Sequence, residues 1–301
     1  MMLVSLLIPA CNARYFEAAL ASAMGQTYRN IEIVVSDDSC RDEISAICER
    51  YDDGRVRYMK NSSNLGFSGN FTRCLELAGG EWIKFLNDDD LLHPLCVERM
   101  VGAVEKHGSI LSLVTSKRRI INAAGRPRPD TVDTSPLCAV DALIDGLDVG
   151  NLLLRHSINF VGEPTTVMFR KSALAWDGRD IFRWGDASYT CLADVSLWLR
   201  LLSQGKAAYL ADEFSYFRIH PGQEQKKPSV AIRCITERYS ILCQARKIGF
   251  LSNTSDYVTA LQAVIGIYQQ SLAAGGISKP LRSELDRDLK AMQAEIAGLV
   301  A

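Results

Sequence analysis

Three adjacent carboxylates, Asp88, Asp89 and Asp90, directly follow an apolar run at residues 82–86 and a single Asn87. Neighbouring acids repel one another, and a packed core gains nothing from them at the end of a strand. A hard divalent cation offsets the repulsion, because Mg²⁺ and Mn²⁺ prefer carboxylate oxygens and Mg²⁺ usually binds one or two carboxylates together with substrate phosphates. The motif therefore predicts a metal–diphosphate site at the carboxyl end of a buried strand. A solvated acidic turn is the alternative interpretation.

The elements before this motif alternate between strand and helix patterns. Strands are expected at residues 3–8, 31–35, 56–59 and 82–86, and helices at 15–25, 42–51 and 70–78. Pro9 is expected to end the first strand, and residues 61–69 read as a polar loop. Such alternation is typical of a parallel, doubly wound sheet, in which ligands bind beyond the carboxyl ends of the strands. Three groups of residues should gather there: 9–12, 37–38 and 88–90.

The loop after the first strand contains no glycine, so the dinucleotide-binding fingerprint is missing, and the chain has no Walker motif. A bound diphosphate would then be held by metal rather than by a glycine cradle. An acid after the second strand is suited to accept hydrogen bonds from a ribose or from a base N–H.

Beyond the motif, the patterns predict further helices and short strands. Helical spacing recurs near residues 95–104, 140–155 and 194–203, and strands are expected near 111–115, 167–170, 207–210 and 214–219. Residues 122–136 form a Pro-bearing loop that is expected near an acceptor. The aromatic stretch at 178–193, with Phe182, Trp184 and Tyr189, is interpreted either as an acceptor wall or as core packing.

Two residues in this half have both a structural and a functional interpretation. Asp194 begins a helical pattern, so it is either a helix N-cap or a general base at the mouth of a site. His220 precedes Pro221 and Gly222, so it is either a turn residue or, as a neutral imidazole, a ligand that Mn²⁺ accepts.

Beyond Pro228 the chain reads as helix, with three apolar stripes that suit either packing on the sheet or pairing between subunits. Residues 280–301 carry mixed charges without the basic face that favours anionic lipid. These stripes predict a C-terminal helical region at 228–301, following a sheet domain at 3–223.

Composition excludes several classes of protein. The chain has 301 residues with a net charge of −1, which argues against a large nucleic-acid footprint. The basic run at 117–119 is interpreted as a solvated edge. The nine cysteines include no CxxC spacing, which disfavours a disulfide framework and favours a reducing, cytoplasmic setting. No apolar stretch reaches the ~18 residues that span a bilayer, so any membrane contact would be peripheral, at the inner face.

Several segments, in this order, resemble family 2 glycosyltransferases with the GT-A fold. They are 4–12 (VSLLIPACN), 26–39 (QTYRNIEIVVSDDS), 64–70 (NLGFSGN) with 78–90 (AGGEWIKFLNDDD), 164–171 (PTTVMFRK), 194–201 (DVSLWLRL) and 216–222 (YFRIHPG). The resemblance implies an α/β fold of GT-A type: a Rossmann-like, mostly parallel central sheet with flanking helices, here followed by the C-terminal helical extension.

The resemblance also implies an inverting, Mn²⁺- or Mg²⁺-dependent transfer of a sugar from a nucleotide-diphosphate sugar, most often a UDP-sugar, to a hydroxyl of a glycan, lipid-linked or protein-linked acceptor. Asp89 would hold the metal, His220 would reach the metal or diphosphate, and Asp194 would be the base. The donor-binding residues carried over from the family are Pro9, Ala10 and Asn12 at the nucleoside, Asp38 at the base, Asn70, and Asp88 at the ribose.

The chain departs from the family pattern at two positions. Asn87 stands where the family often has an acid, which shifts the metal motif to Asp88 and Asp89. Ala193 replaces the usual acid before the base, which leaves Asp194 as the sole candidate in that segment. A catalytically silent nucleotide-sugar-binding protein and a sugar nucleotidyltransferase therefore remain as alternatives, although the latter usually has a Gly- and Arg/Lys-rich loop after its first strand.

Overall fold

The computed structural model describes residues 2–223, 228–274 and 276–300 of the chain. Its largest sheet contains nine strands: β1 Val4–Ala10, β2 Ile31–Asp37, β3 Val56–Lys60, β4 Trp82–Phe85, β5 Leu91–Leu92, β6 Leu111–Asn122, β7 Ala142–Ile144, β8 Met168–Arg170 and β11 Lys206–Ile219. A separate hairpin pairs β9 Arg183–Trp184 with β10 Ala187–Ser188. The α-helices are α1 Ala13–Met24, α2 Glu43–Glu49, α3 Gly66–Leu77, α4 Cys96–His107, α5 Gly146–His156, α6 Ala193–Leu202, α7 Pro228–Lys247, α8 Thr254–Ala274 and α9 Lys279–Val300.

The strand order is β3-β2-β1-β4-β8-β6-β11-β5, with β7 paired on β11. The pairs β1–β2, β2–β3, β1–β4 and β6–β11 are parallel, whereas β8 runs antiparallel between β4 and β6. The chain passes from β1 to β2 on one side and returns to β4 on the other. This change of direction opens a crevice at the carboxyl ends of β1 and β4, where such sheets bind ligands.

The sheet is buried on both faces, which explains why its strands are almost continuously apolar. In β1, Leu6 and Ile8 pack with α1, α2 and α4, whereas Leu7 packs in the core on the opposite face. That second core also contains side chains of α5 and α6 and of the three C-terminal helices, including Tyr257 and Leu285. The C-terminal helices therefore share one hydrophobic core with the sheet domain, and the division at residues 223 and 228 stays a prediction.

Several predicted element boundaries were wrong. Pro9 does not end β1, which runs to Ala10 beside β2; β4 stops opposite Leu7, so the missing proline N–H removes no pairing with β4. Helix α3 begins at Gly66 inside the predicted loop. The two strands predicted at 207–210 and 214–219 form one long strand, β11, with register shifts between them.

The basic run was also misread as a solvated edge. Arg118 lies within β6 with only 3% of its side chain exposed, and it pairs with Glu163 at 2.8 Å and with Asp133 at 3.3 Å. Lys117 and Arg119 both pair with Glu213 on the neighbouring strand β11. Carboxylates from distant segments of the chain thus form ion pairs with all three basic residues of this run.

The region around residues 178–193 is packing rather than an open wall. Phe182, Trp184 and Tyr189 are all buried in the core shared with the C-terminal helices.

The expectation of reduced cysteines is contradicted by one pair, because Cys191 forms a disulfide with Cys234 of α7. The two cysteines are 43 residues apart and meet only because α7 packs against this region.

None of the helices in the described part of the chain combines the length and apolar character that a membrane span requires.

Candidate active site

Asp88 joins the loop after β1 to the acidic motif after β4. Its Oδ2 atom accepts hydrogen bonds from the backbone N–H groups of Cys11 at 2.7 Å and Asn12 at 2.8 Å. Burial is the main cause that raises the pKa of Asp88 to about 6, and the neighbouring Asp89 charge acts in the same direction. The two strand ends that were predicted to converge therefore do so through this carboxylate.

Asp89 contacts His220, although 131 residues separate them in the sequence. The distance from Asp89 Oδ2 to His220 Nε2 is 3.0 Å, and His220 is buried. The other ring nitrogen, Nδ1, accepts from the Gly222 N–H at 3.2 Å, which places the proton of a neutral ring on Nε2. In this arrangement His220 therefore donates a hydrogen bond to Asp89.

Arg218 holds this pair from the same strand end. Its Nε donates to the Asp89 carbonyl at 2.6 Å, and its guanidinium lies 4.6 Å from the centre of the Tyr15 ring. The Tyr15 ring in turn lies 4.9 Å from that of His220. Arg218, Tyr15 and His220 thus form a packed cationic and aromatic group around Asp89.

Asp90 is fully buried and committed to the fold. It accepts from Thr165 Oγ1 at 2.7 Å, from Asn87 Nδ2 at 3.1 Å and from the Arg218 N–H at 2.8 Å. Burial raises the pKa of Asp90 well above its ordinary value. These bonds tie the acidic motif to β11 and to the turn at Pro164–Thr166.

Asp38 caps the start of α3. Its carboxylate accepts from the backbone N–H of Leu65 at 2.7 Å and of Gly66 at 2.9 Å, and from Asn61 Nδ2 at 3.0 Å. This long-range cap explains why α3 begins earlier than its sequence pattern indicates. Asn70 lies below, where its Nδ2 donates to the Ala10 carbonyl at 3.1 Å.

The residues at the end of β1 are positioned by backbone and capping bonds. Pro9 and Ala10 are buried within the strand, and the Ala10 carbonyl also accepts from the Asp38 N–H at 2.8 Å. The Asn12 side chain is the N-cap of α1, accepting from the Arg14 N–H at 2.9 Å. Pro9, Ala10, Asn12, Asp38, Asn70 and Asp88 therefore form one connected group at this edge of the sheet.

Asp194 lies in the first turn of α6, but it is not the N-cap, which is Leu192. Its Oδ2 accepts from Asn159 Nδ2 at 2.8 Å, and its Oδ1 accepts from the Val195 N–H at 2.7 Å. Burial raises the pKa of Asp194 to about 7, and the Glu163 charge adds to this, whereas the Val195 N–H and Arg118 oppose it. A carboxyl group with such a pKa is suited to exchange a proton near neutral pH.

Glu163 links the two halves of the site. Burial is the main cause that raises the pKa values of Asp90 and Asp194, and the negative charge of Glu163 adds to the rise at both. Asn159, which holds Asp194, also exchanges two hydrogen bonds with Gly162, at 3.0 and 3.1 Å. The segment 159–166 therefore contacts both parts: Asn159 bonds Asp194, and Thr165 bonds Asp90 of the acidic motif.

Sequence reasoning missed Glu163, Arg118, Asn159 and Arg218. The segment at 162–166 stood out by its Gly and Pro, but nothing local marked Glu163 as the partner of a strand residue 45 positions earlier. Arg118 was hidden in a run that resembles a solvated edge. A buried ion pair between distant segments has no local sequence signature.

The donor set suits a divalent cation with help from phosphates. Within residues 2–223, 228–274 and 276–300, no group of three or more His, Cys, Asp or Glu side chains is arranged to hold a metal. Asp89 supplies one carboxylate that is partly exposed to solvent. Mg²⁺ in nucleotide sites commonly binds one or two carboxylates, and phosphates and water fill its remaining positions. Ligation by His220 Nε2 would require its proton to move and the Gly222 bond to break.

A groove of about 650 Å³ lies elsewhere, between α4 and the strands β7 and β11. None of the predicted site residues line it. Its walls carry charges of both signs, among them Arg99, Lys106 and Asp141. The candidate active site is therefore defined by the carboxylates at the strand ends rather than by cavity size.

Residues 5–175, more than half of the chain, match the family Glycosyl transferase family 2. The chain belongs to this family. The match covers the acidic motif and the segment 159–166, whereas Asp194 and His220 lie beyond it. The predicted family and enzyme class are thus confirmed: this chain is a glycosyltransferase.

Similar proteins include a relative named for its reaction and two solved structures. Over 91 residues, 30% of this chain and 36% of its own length, the Escherichia coli UDP-Glc:alpha-D-GlcNAc-diphosphoundecaprenol beta-1,3-glucosyltransferase WfaP is 40% identical. The structure of S. aureus TarS 1–349 in complex with UDP-GlcNAc aligns with 97% of this chain and 80% of its own, with a TM-score of 0.68 and 15% identity.

A second structure is the mannosyltransferase PcManGT from Pyrobaculum calidifontis in complex with GDP-Man and Mn²⁺. It aligns with 98% of this chain and 86% of its own, with a TM-score of 0.54 and 16% identity. At such low identities the two structures carry the fold alone. The predicted GT-A architecture, a mostly parallel sheet with flanking helices and C-terminal helices, is confirmed.

Proposed function

We propose that this family 2 glycosyltransferase is an inverting, metal-dependent enzyme that transfers a sugar from a nucleotide-diphosphate sugar to a hydroxyl acceptor. The observation that carries the proposal is the 3.0 Å contact between Asp89 and His220 beside the loop that Asp88 holds after β1. It gathers acid and imidazole where a parallel sheet binds nucleotides. A UDP-sugar is the proposed donor, because the similar TarS structure contains UDP-GlcNAc and the name of WfaP gives UDP-Glc as its donor.

The donor would lie along the connected group at the ends of β1, β2 and β4. Pro9, Ala10 and Asn12 would border the nucleoside, while Asp38 would face the base and Asp88 the ribose. Asn70 would support this wall from below through its bond to Ala10. The two carboxylate oxygens of Asp38 accept from three donors, so one of their roughly four lone-pair sites remains for a base N–H.

Mn²⁺ or Mg²⁺ would be held by Asp89, with His220 beside it, and a bound cation supplies Lewis-acid stabilisation of charge on the diphosphate. The chain's own contribution is to hold the Asp89 carboxylate in place. Arg218 contributes by donating from Nε to the Asp89 carbonyl and from its backbone N–H to the Asp90 carboxylate, which restrains the chain directly after the Asp89 side chain.

Asp194 would act as the general base. The acceptor oxygen forms a bond to the anomeric carbon while the bond from that carbon to the diphosphate oxygen breaks, and the hydroxyl proton passes to an Asp194 oxygen. Asn159 orients the Asp194 carboxylate by donating to its Oδ2 atom. The Asp194 pKa of about 7 suits a base that works near neutral pH. Such base catalysis typically contributes about 10²–10⁴-fold to the rate.

The acceptor would be a glycan or a lipid-linked or protein-linked hydroxyl, as in surface-polysaccharide synthesis. WfaP, by its name, acts on a diphosphoundecaprenol-linked sugar. Reaction at the cytoplasmic face of a membrane would suit a lipid-linked acceptor, and pairing of subunits through the C-terminal helices belongs to the same proposal.

The test is a thermal-shift screen of UDP-, dTDP- and GDP-sugars with Mn²⁺, Mg²⁺ or EDTA, followed by product analysis with the donor that binds. A donor present at about 100 times its Kd should add roughly 2.7 kcal/mol of stability. A metal-dependent shift with one nucleotide and an inverted anomeric product would support the proposal. Metal-independent binding, or retention at the anomeric carbon, would refute it.

A further inference from the structure

The segment that leads into α6 is held by a residue of the C-terminal helices. The backbone N–H groups of Thr190, Cys191 and Leu192 all donate to the carboxylate of Glu237 in α7, at 2.9, 3.0 and 2.8 Å. Glu237 is buried, with 7% of its surface exposed. A buried carboxylate that accepts three backbone N–H groups makes strong, charge-assisted hydrogen bonds.

A covalent bond ties down the same segment. Cys191, the middle donor, forms a disulfide with Cys234, which lies one helical turn before Glu237 in α7. Two separate restraints from one helix, a carboxylate and a disulfide, therefore act on three consecutive residues. Leu192, the last of them, is the N-cap residue of α6 and has no side-chain capping bond of its own.

Asp194 follows Leu192 by two residues, so the direction of its side chain depends on how the first turn of α6 is set. Charged groups that act on Asp194 include Arg118, which lies in β6, and Glu163, which directly precedes the turn at Pro164–Thr166. A shift of residues 190–192 would move Asp194 relative to these two groups and to Asn159. Misplacement of a catalytic group by about 1 Å can cost on the order of a hundredfold in rate.

We propose that Glu237 is a positioning residue for Asp194, and that the Cys191–Cys234 disulfide makes this positioning sensitive to thiol reductants. The inference rests on the proposed role of Asp194 as the base. It makes α7 a component of the active site, although α7 lies beyond the residues that match the family. The three bonds of Glu237 to this segment are to backbone N–H groups, so Glu237 would act on Asp194 through the backbone.

The restraint itself is tested by hydrogen–deuterium exchange, which needs no enzymatic activity. Glu237→Gln keeps one acceptor oxygen and Glu237→Ala keeps none, so amide exchange at residues 190–195 should accelerate by roughly tenfold in the first variant and by more in the second. Glu284→Gln, at an exposed glutamate of α9, is the matched control and should leave this exchange unchanged.

Kinetics then separate a positioning role from a merely structural one. In Glu237→Gln, kcat should fall about tenfold while the donor KM changes by less than about twofold, because the donor wall is untouched. The acid limb of the pH–kcat profile, expected near the Asp194 pKa of about 7, should move to lower pH, because a loosened turn admits water to Asp194. Glu284→Gln should retain the wild-type profile.

Reduction tests the second restraint. Dithiothreitol, a dithiol, supplies two electrons and two protons to the Cys191–Cys234 bond; the protein gains two thiols and the reagent becomes a cyclic disulfide. Because Glu237 remains, reduced wild type should lose about twofold to fivefold in kcat, whereas reduced Glu237→Gln should lose more than the product of the two separate effects. Cys234→Ser should match reduced wild type and should not respond to the reagent.

Unchanged exchange at 190–195 in both Glu237 variants would overturn the proposal. So would faster exchange with an unmoved pH profile, since Glu237 would then hold the segment without positioning the base. Strictly multiplicative effects of reduction and Glu237→Gln, or alkylation showing free thiols at Cys191 and Cys234 in the purified protein, would overturn its redox part. If the wild type transferred no sugar, the proposed function would fail, while the exchange result would still report on the restraint.

Discussion

Replacing Asp194 with asparagine should remove the activity, and it should also remove a loss of stability that the wild type undergoes as the pH rises from about 5 to about 8. Burial raises the pKa of Asp194 from 3.8 to about 7, so the folded state holds the neutral acid more tightly than the unfolded chain does. Stability from this effect is fully present below the ordinary pKa and is lost as the pH rises through the folded-state pKa. Asparagine has no such dependence.

The size of the effect follows from the two pKa values. A difference of about three pKa units corresponds to an upper limit of roughly 4 kcal/mol, at about 1.36 kcal/mol per unit. Most of this change in the free energy of unfolding falls between about pH 5 and pH 8, where proton linkage accounts for roughly 2–3 kcal/mol. Asp194 is only partly buried, so solvent screening reduces the expected change to about 1–2 kcal/mol.

The assay is urea unfolding of wild type and Asp194→Asn across this pH range. Asparagine offers one oxygen to two donors, Asn159 and Val195, and the lost hydrogen bond costs about 1 kcal/mol at every pH. That constant cancels when the difference between the proteins is followed with pH. Asp286→Asn, at an exposed position in α9, measures the background effect of removing a carboxylate.

A stability difference that stays flat with pH, or that changes in the same way in Asp286→Asn, would refute the reasoning that Asp194 is held in a desolvated site. The same preparation serves for activity. Donor binding should persist in Asp194→Asn, whereas kcat should fall by about 10²–10⁴-fold, the range typical of losing a general base. Near-normal turnover would reject Asp194 as the base.

Three further changes test other parts of the site. Asp89→Ala should abolish metal-dependent donor binding in calorimetry with and without Mn²⁺; unaltered binding would remove Asp89 from the metal site. Arg118→Met should destabilise the protein by about 2–3 kcal/mol in urea, because it leaves the half-buried Glu163 without its partner, and adding Glu163→Gln should restore much of this loss. Gly162→Ala should cost about 1–3 kcal/mol, since Gly162 has φ of +106° and an added Cβ would lie 2.8 Å from the Thr166 Cβ; an unchanged unfolding midpoint would contradict the strain.

Residue types and periodicity alone determined the sheet core and the location of the acidic motif. The strands β1, β2 and β4 are short runs of apolar residues, which bury on both faces, and each is followed by a turn that cannot stay in the core. Parallel strands end at one edge, so the grouping of residues 9–12, 37–38 and 88–90 followed from chain order. The resemblance to family 2 added Asp194 and His220, which no local pattern set apart from a cap and a turn.

Tertiary structure decided which partner each charged group has. Asp38 caps α3 from another strand end, Arg118 pairs with Glu163, and Glu237 binds the backbone before α6; in each case the partner lies far away in the chain. A run such as Lys117–Arg119 resembles a solvated edge because its sequence carries no record of the carboxylates that neutralise it. Desolvation, which sets the pKa of Asp194, likewise depends on everything packed around a side chain, and only the folded chain specifies that.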